Sequence, residues 1–325
     1  METKEQIEIY HFGTAYILEQ VHQFECEIDG ALKAKDIEYV HRMRVASRRL
    51  RTALNLFHLY LLDDTAQIWH REFKGITKAL GQARDLDVQI QLVKGLLSGD
   101  VAREYKYGYR RLLLRLKQNR KKAQESVKSA IEILQAKGTL NRIHTVLKIP
   151  GEGQGLIYPI AFYQSASESI KKRLEDFLNY QESIHTPSNN GEPLHAMRIA
   201  GKHLRYTMEI FAPLYGQSLL PFIEIMKEIQ DQLGEIHDCD VWVTWLPEFI
   251  ALEQNQSRAS FGHARQIKRL LPGIHHLIEG RKLARQHAYN TFIDNWQKQK
   301  NEQTWEKLAE LIDPSLAITY QNQTL

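Results

Sequence analysis

Residues 41–51 read His41-Arg42-Met43-Arg44-Val45-Ala46-Ser47-Arg48-Arg49-Leu50-Arg51. With 3.6 residues per turn, His41, Arg44, Arg48 and Arg51 fall within roughly a quarter of a helix's circumference. Met43, Ala46, Leu50, Ala53, Leu54 and Phe57 fall on the other side. The stretch predicts a helix with an apolar face for a bundle and a cationic stripe opposite it. No acid occurs between Glu38 and Asp63, so the stripe lacks the intrahelical partners that usually neutralise surface arginines.

The pattern returns 154 residues later as His195-Ala196-Met197-Arg198-Ile199-Ala200. Arg48, Leu50 and Arg51 then fall opposite Lys202, Leu204 and Arg205, and no acid follows before Glu209. A second block, Leu80-Gly81 with Asp85-Leu86-Asp87-Val88, matches Leu233-Gly234 with Asp238-Cys239-Asp240-Val241 at an offset of 153. Lys74 faces Lys227 in that register. A third pairs Gly108, Arg111, Arg115 and Leu116 with Gly262, Arg265, Arg269 and Leu270, again at 154. Three blocks in order at nearly one offset predict an internal duplication, with a first repeat over 1–150 and a second over 156–325.

Helical periodicity runs through most of the chain, and alternating polar–apolar runs are scarce. The fold class expected is all-α. Helices are predicted near 4–29, 36–61, 65–81, 86–97, 100–136 and 139–148, then near 158–181, 193–213, 218–235, 240–254, 258–279, 281–298 and 302–312. Turn chemistry marks Pro150-Gly151-Glu152-Gly153 and the stretch from Pro187 to Pro193, with Asn189, Asn190 and Gly191 between. The composition is ordinary for a globular chain, 43% hydrophobic and 25% charged, and excludes wholesale disorder. Cys26 and Cys239 are too few for a disulfide framework. The polar start METKEQIEIY reads as no signal peptide, and no apolar run suggests a membrane span. A cytoplasmic protein with no membrane partner is expected.

A net charge of +4 decides little by itself; its placement matters more. A merely solvated helix face would let Lys, Glu and Gln interchange. Here cation stands against cation at Arg44/Arg198, Arg48/Lys202, Arg51/Arg205, Lys74/Lys227, Arg111/Arg265 and Arg115/Arg269. Arginine's planar fork suits phosphate oxygens, and lysine adds a mobile point charge. The candidate site is therefore a polyanion site, with no cofactor. His41 and His195 open the stripes and could be metal ligands, phosphate contacts or structural histidines. Without HExxH or Cys/His spacing, no metal site is expected, and their line with the cations reads as contact to the anion. The Leu-Gly…Asp-x-Asp-Val blocks read as structural helix–turn–helix joints, whose aspartates cap a helix or orient arginines.

Together, His41-x-x-Arg44-Val45-x-x-Arg48-Arg49-Leu50-Arg51, its counterpart ending Lys202-x-Leu204-Arg205-Tyr206, and both Leu-Gly…Asp-x-Asp-Val segments resemble the CHAD family, the conserved histidine α-helical domain. The resemblance covers nearly the whole chain. It implies two pseudo-symmetric helical bundles with a basic groove or channel between them, binding of inorganic polyphosphate, often at polyphosphate granules, and no catalytic role. Arg49 joins the binding set through this motif. The second copy departs from the pattern at Lys202, His203 and Gly201, where the first has Arg48, Arg49 and Ser47. Other readings are a metal-dependent phosphohydrolase of the helical HD type using His237-Asp238, an electrostatic RNA-binding module, and a scaffold for protein partners the sequence does not identify. Base stacking lacks support, because Tyr206 alone flanks a stripe.

Overall fold

Long stretches without helix-breaking clusters favour long helices. The computed structural model describes residues 4–34, 36–61, 64–148, 158–185 and 191–316, with side chains from residue 7 onward except 185 and 316. Over these residues the chain forms ten α-helices and no strand. They are α1 (Lys4–Lys33), α2 (Ile37–Leu56), α3 (Thr65–Ser98), α4 (Arg103–Ala136) and α5 (Thr139–Val146), then α6 (Ile160–Leu178), α7 (Glu192–Phe211), α8 (Leu220–Phe261), α9 (Leu271–Asn301) and α10 (Thr304–Leu311). A 3-10 turn follows α2 at His58–Tyr60 and α7 at Ala212–Tyr215. The turn residues Pro150 to Gly153 and Pro187 to Asn190 lie outside the described residues. Gly191, left-handed at φ 63°, stands at the N-terminus of α7.

The chain divides into two compact units. One comprises Met1–Gly95 with Leu113–Phe162, the other Leu96–Leu112 with Tyr163–Leu325. The opening of α4 therefore belongs with the second unit, although the sequence reading divides the chain between 150 and 156. In the first unit, Val21, Phe24, Met43, Leu50, Phe73, Leu80, Leu116 and Ile131 are fully buried. The Phe24 and Phe73 rings meet edge to face at 5.2 Å. The second unit buries Met197, Leu204, Met226, Leu233 and Phe292. There Phe177 meets Trp296 and Trp305 edge to face, and the three rings form a triangle with centroids 5.5–5.7 Å apart. Each such side chain contributes about 1.5–3 kcal/mol of transfer free energy. Within the second unit α4 and α9 cross where Gly108 and Gly273 face one another. A Cβ on Gly108 would lie 2.6 Å from the Leu270 carbonyl oxygen.

Three sequence expectations are corrected. The Leu-Gly…Asp-x-Asp-Val blocks are no joints: Gly81 to Val88 lies inside the unbroken α3, and Gly234 to Val241 inside α8. Neither glycine has positive φ. The aspartates form ion pairs instead of caps, Asp87 with Arg120 at 2.7 Å and Asp240 with Arg285. Second, no break separates 279 from 281, where α9 continues. Third, Gly108, Arg111 and Arg115 lie on α4, whereas Gly262 caps the C-terminus of α8, and Arg265 and Arg269 bound a 3-10 turn. Those residues are not structural counterparts, because α4 falls in the place of α9 in the order of elements.

Candidate anion-binding site

The α2 helix begins at Asp36, whose carboxylate accepts the Glu38 backbone N–H at 3.1 Å. Its buried face is Val40, Met43, Ala46, Ser47, Leu50, Ala53 and Leu54. That burial leaves His41, Arg44, Arg48 and Arg51 half-buried along one flank, while Arg49, also half-buried, falls about 100° further round the helix, on the side of Arg42 and away from this flank. Facing this flank is a stripe on α3: His70, Lys74, Thr77, Gly81 and Arg84, at steps of three and four residues. The two stripes make a seam. Arg51 Nη2 lies 3.5 Å from His70 Nε2. The Thr77 hydroxyl donates to Ser47 Oγ at 3.2 Å. Arg84 Nη1 reaches the Glu38 carboxylate at 3.5 Å. The Arg44 side chain lies over Gly81, its Nε 3.7 Å from where a Cβ would stand.

A matching seam joins α7 to α8 in the second unit. His195, Arg198, Lys202 and Arg205 are half-buried on α7. The Arg198 side chain lies over Gly234, with Nε again 3.7 Å from a Cβ position. Gln230 stands where α3 has Thr77, and its amide donates to the Gly201 carbonyl at 2.8 Å. His237 stands three residues beyond the glycine, as Arg84 does in α3. Its Nδ1 lies 3.1 Å from Nδ1 of His195.

The seams differ in how far their cations are neutralised. Arg205 donates to Glu209 at 2.7 Å and to Gln230 at 3.0 Å. Lys227 lies 3.4 Å from Glu224, with both side chains well exposed. Lys74, its counterpart on α3, is exposed. Other expected contacts are engaged or set apart from the seams. Arg111 is bound to the buried Glu253 carboxylate at 2.6 Å, and Arg115 Nη1 donates to Gln118 at 3.0 Å. Arg265 and Arg269 are exposed on their 3-10 turn. The sequence reading did not single out His70, Arg84 or a seam role for His237. The three-and-four spacing along α3 was the available signal, but it was masked by reading α3 and α8 as broken helices.

Burial, with help from neighbouring cations, lowers the pKa of the seam histidines. Burial is the main cause lowering the pKa of His41, with Arg84 and Arg44 adding to it against Glu38. Burial, then Arg51 and Lys74, lowers that of His70. Burial, then Arg198 and Lys202, lowers that of His195. His237 is pushed down to about 4 by burial, His195, Arg198 and Lys202. Among the described residues, His41 Nδ1 and Arg51 Nε are buried without a hydrogen-bond partner. Closely spaced, partly desolvated like charges repel one another, and an anion relieves that repulsion. Among the described residues no group of three His, Cys, Asp or Glu side chains is placed to hold a metal ion. His237 turns into the seam against His195, and Asp238 is exposed. No helix among the described residues is long and apolar enough to cross a membrane.

Among solved structures, the chain is similar to the CHAD domain from the plant Ricinus communis, at 21% identity and a TM-score of 0.53, over 82% of this chain and 91% of that one. It is also similar to PptA from Streptomyces chartreusis, at 15% identity and a TM-score of 0.57, over 89% of this chain and 99% of that one. Likeness at these identities shows the all-helical fold. No curated protein matches the chain. The family model of the CHAD domain matches residues 15–247, more than half of the chain, and takes in both α2 and α7 with their histidine–arginine stripes, so the chain belongs to the CHAD domain family.

Proposed function

We propose that this protein binds inorganic polyphosphate through the α2–α3 and α7–α8 seams, and that it acts by binding rather than catalysis. The observation that carries the reading is the arginine laid over a helix glycine in each seam, Arg44 over Gly81 and Arg198 over Gly234. A glycine there leaves the guanidinium free of a side chain beneath it and beside further cations. Paired N–H donors beside fixed positive charge suit a chain of phosphates, whose negative charges repeat along its length. Membership of the CHAD domain family supports the same reading. The proposed location is the cytoplasm, at polyphosphate granules.

Calorimetric titration with long-chain polyphosphate at two salt concentrations tests it. Wild type binds at low salt, and affinity falls at least about tenfold from about 50 to about 200 mM salt, as multivalent phosphate contacts require. Arg44→Ala/Arg198→Ala loses most of the binding while remaining folded. A folded wild type that binds no polyphosphate at low salt ends the proposal.

A further inference from the structure

We propose that the outer face of α4, built from none of the seam residues, binds a single-stranded nucleic acid, with its phosphates on the cations of that face and an unpaired base on Tyr107. This goes beyond the polyphosphate reading and does not depend on it.

Between Glu104 and Glu125 the chain carries no acid. Of the cations in that stretch, Arg111 is held by Glu253 and Arg120 by Asp87. Others fall on the far side of the helix. Arg103, Tyr107, Arg110, Leu114, Lys117 and Lys121 follow one another at alternating steps of four and three residues, which sets them in one line along α4. All six are exposed. The line runs about 27 Å along a single unbroken helix. The opposite side of α4 is the one that packs, where Tyr109, Leu112, Leu116 and Val127 are fully buried. A merely solvated face mixes its charges, as α9 does. Counted from the glycine at the α4–α9 crossing, Leu114, Lys117 and Lys121 fall where α9 has Glu279, Lys282 and Gln286. There the acid pairs with the lysine at 2.9 Å.

Cations alone suit any polyanion, and the residues set between them narrow the choice. Tyr107 is 46% exposed and Leu114 45%. Single exposed apolar residues are ordinary, but these two stand in line with the charges. A bare phosphate chain offers a tyrosine ring nothing to stack on. A nucleobase does, and ring–base stacking adds to backbone contacts at neighbouring cations without demanding a sequence. In a duplex both faces of each base are already covered, so the strand that fits is single. A bilayer is the poorer match, because the broad apolar side of α4 is turned into the core and only two apolar residues are left to enter lipid.

Fluorescence anisotropy on the full chain, with a labelled single-stranded oligouridylate of about 12 nucleotides, tests the proposal. Wild type should bind at about 50 mM salt, with a log–log salt slope near about −3, as about four phosphate contacts to a single strand give. Arg110→Gln/Lys117→Gln/Lys121→Gln changes only exposed positions and should keep the helix by circular dichroism. It should weaken binding at least about tenfold and flatten the slope by about two. Tyr107→Ala should weaken binding about fivefold or more, and Tyr107→Phe less than about twofold. The triple variant should keep its calorimetric affinity for long-chain polyphosphate within about twofold, because such exposed charges are screened from the seams. No oligonucleotide binding by wild type at low salt overturns the proposal, as does undiminished binding by the triple variant. Equal loss of polyphosphate by the triple variant overturns it too, by making this face part of the polyphosphate surface. Tighter binding of a duplex of matched length, or of phosphatidylserine vesicles, with Tyr107→Ala silent, overturns the single-strand assignment. A wild type that binds the oligonucleotide through α4 and ignores polyphosphate retires the earlier reading and leaves this one standing.

Discussion

Gly81 and Gly234 carry a role that helix propensity alone disguises. Glycine inside a helix costs roughly 0.5–1 kcal/mol against alanine. Here it clears the surface on which Arg44 or Arg198 lies. A Cβ at 3.7 Å is ordinary contact, so Gly81→Ala should leave polyphosphate affinity within about twofold and raise stability by about 0.5–1 kcal/mol in urea unfolding. Gly81→Leu should displace the guanidinium and reduce affinity about tenfold by calorimetry, the helix remaining intact by circular dichroism. Asp87 offers a second case. It is 5% exposed at the side chain and bound to Arg120, itself 14% exposed. Removing the carboxylate strands a mostly buried guanidinium. Asp87→Ala should therefore cost about 3–5 kcal/mol in urea unfolding.

At the scale of elements, the seams and the α4–α9 crossing make separate demands. A Cβ on Gly273 would lie 2.4 Å from the Tyr105 carbonyl oxygen, against backbone that cannot rotate away. Gly273→Ala should lower stability by about 2–4 kcal/mol, measured by denaturant unfolding, through parting of α4 and α9. The α7–α8 seam should show its strain in pH dependence. His237 has a folded pKa of about 4 against an ordinary 6.5. Between those values the unfolded chain binds a proton that the folded chain refuses. Stability from this source is therefore full above about 6.5, falls as pH drops toward 4 and is flat below. His41, His70 and His195 act in the same direction. The melting temperature of the unliganded protein should fall more steeply over this window than that of His237→Gln, by about 3–6 °C.

Across the molecule, the formal charge of +4 understates the field a polyanion meets. Glu38, Glu209 and Glu224 pair with seam cations, while Glu228, Asp231 and Glu235 line an exposed face of α8. Glu72 is held with Arg142 at 2.9 Å on the outer side of α3. Binding to the folded state alone stabilises it by mass action. Long-chain polyphosphate should therefore raise the melting temperature in a thermal-shift measurement, by about 5 °C or more at saturation and low salt, with the rise shrinking as salt screens the seams.

The sequence by itself determined that the chain is helical, that α2 and α7 carry matching cationic flanks, and that the family is the CHAD domain family. These properties live in local periodicity and in residues close together along one helix. Only the tertiary structure decided that Gly81 and Gly234 lie inside continuous helices, because turn-like residues remain helical when packing neighbours use their side chains. It also decided that Arg111 is held by Glu253, 142 residues away in sequence, while Arg44 is laid over Gly81. The meeting of His195 with His237 across 42 residues had no local signal either. Which cations face a ligand and which are neutralised depends on side chains from other helices, and only the packing of those helices sets them.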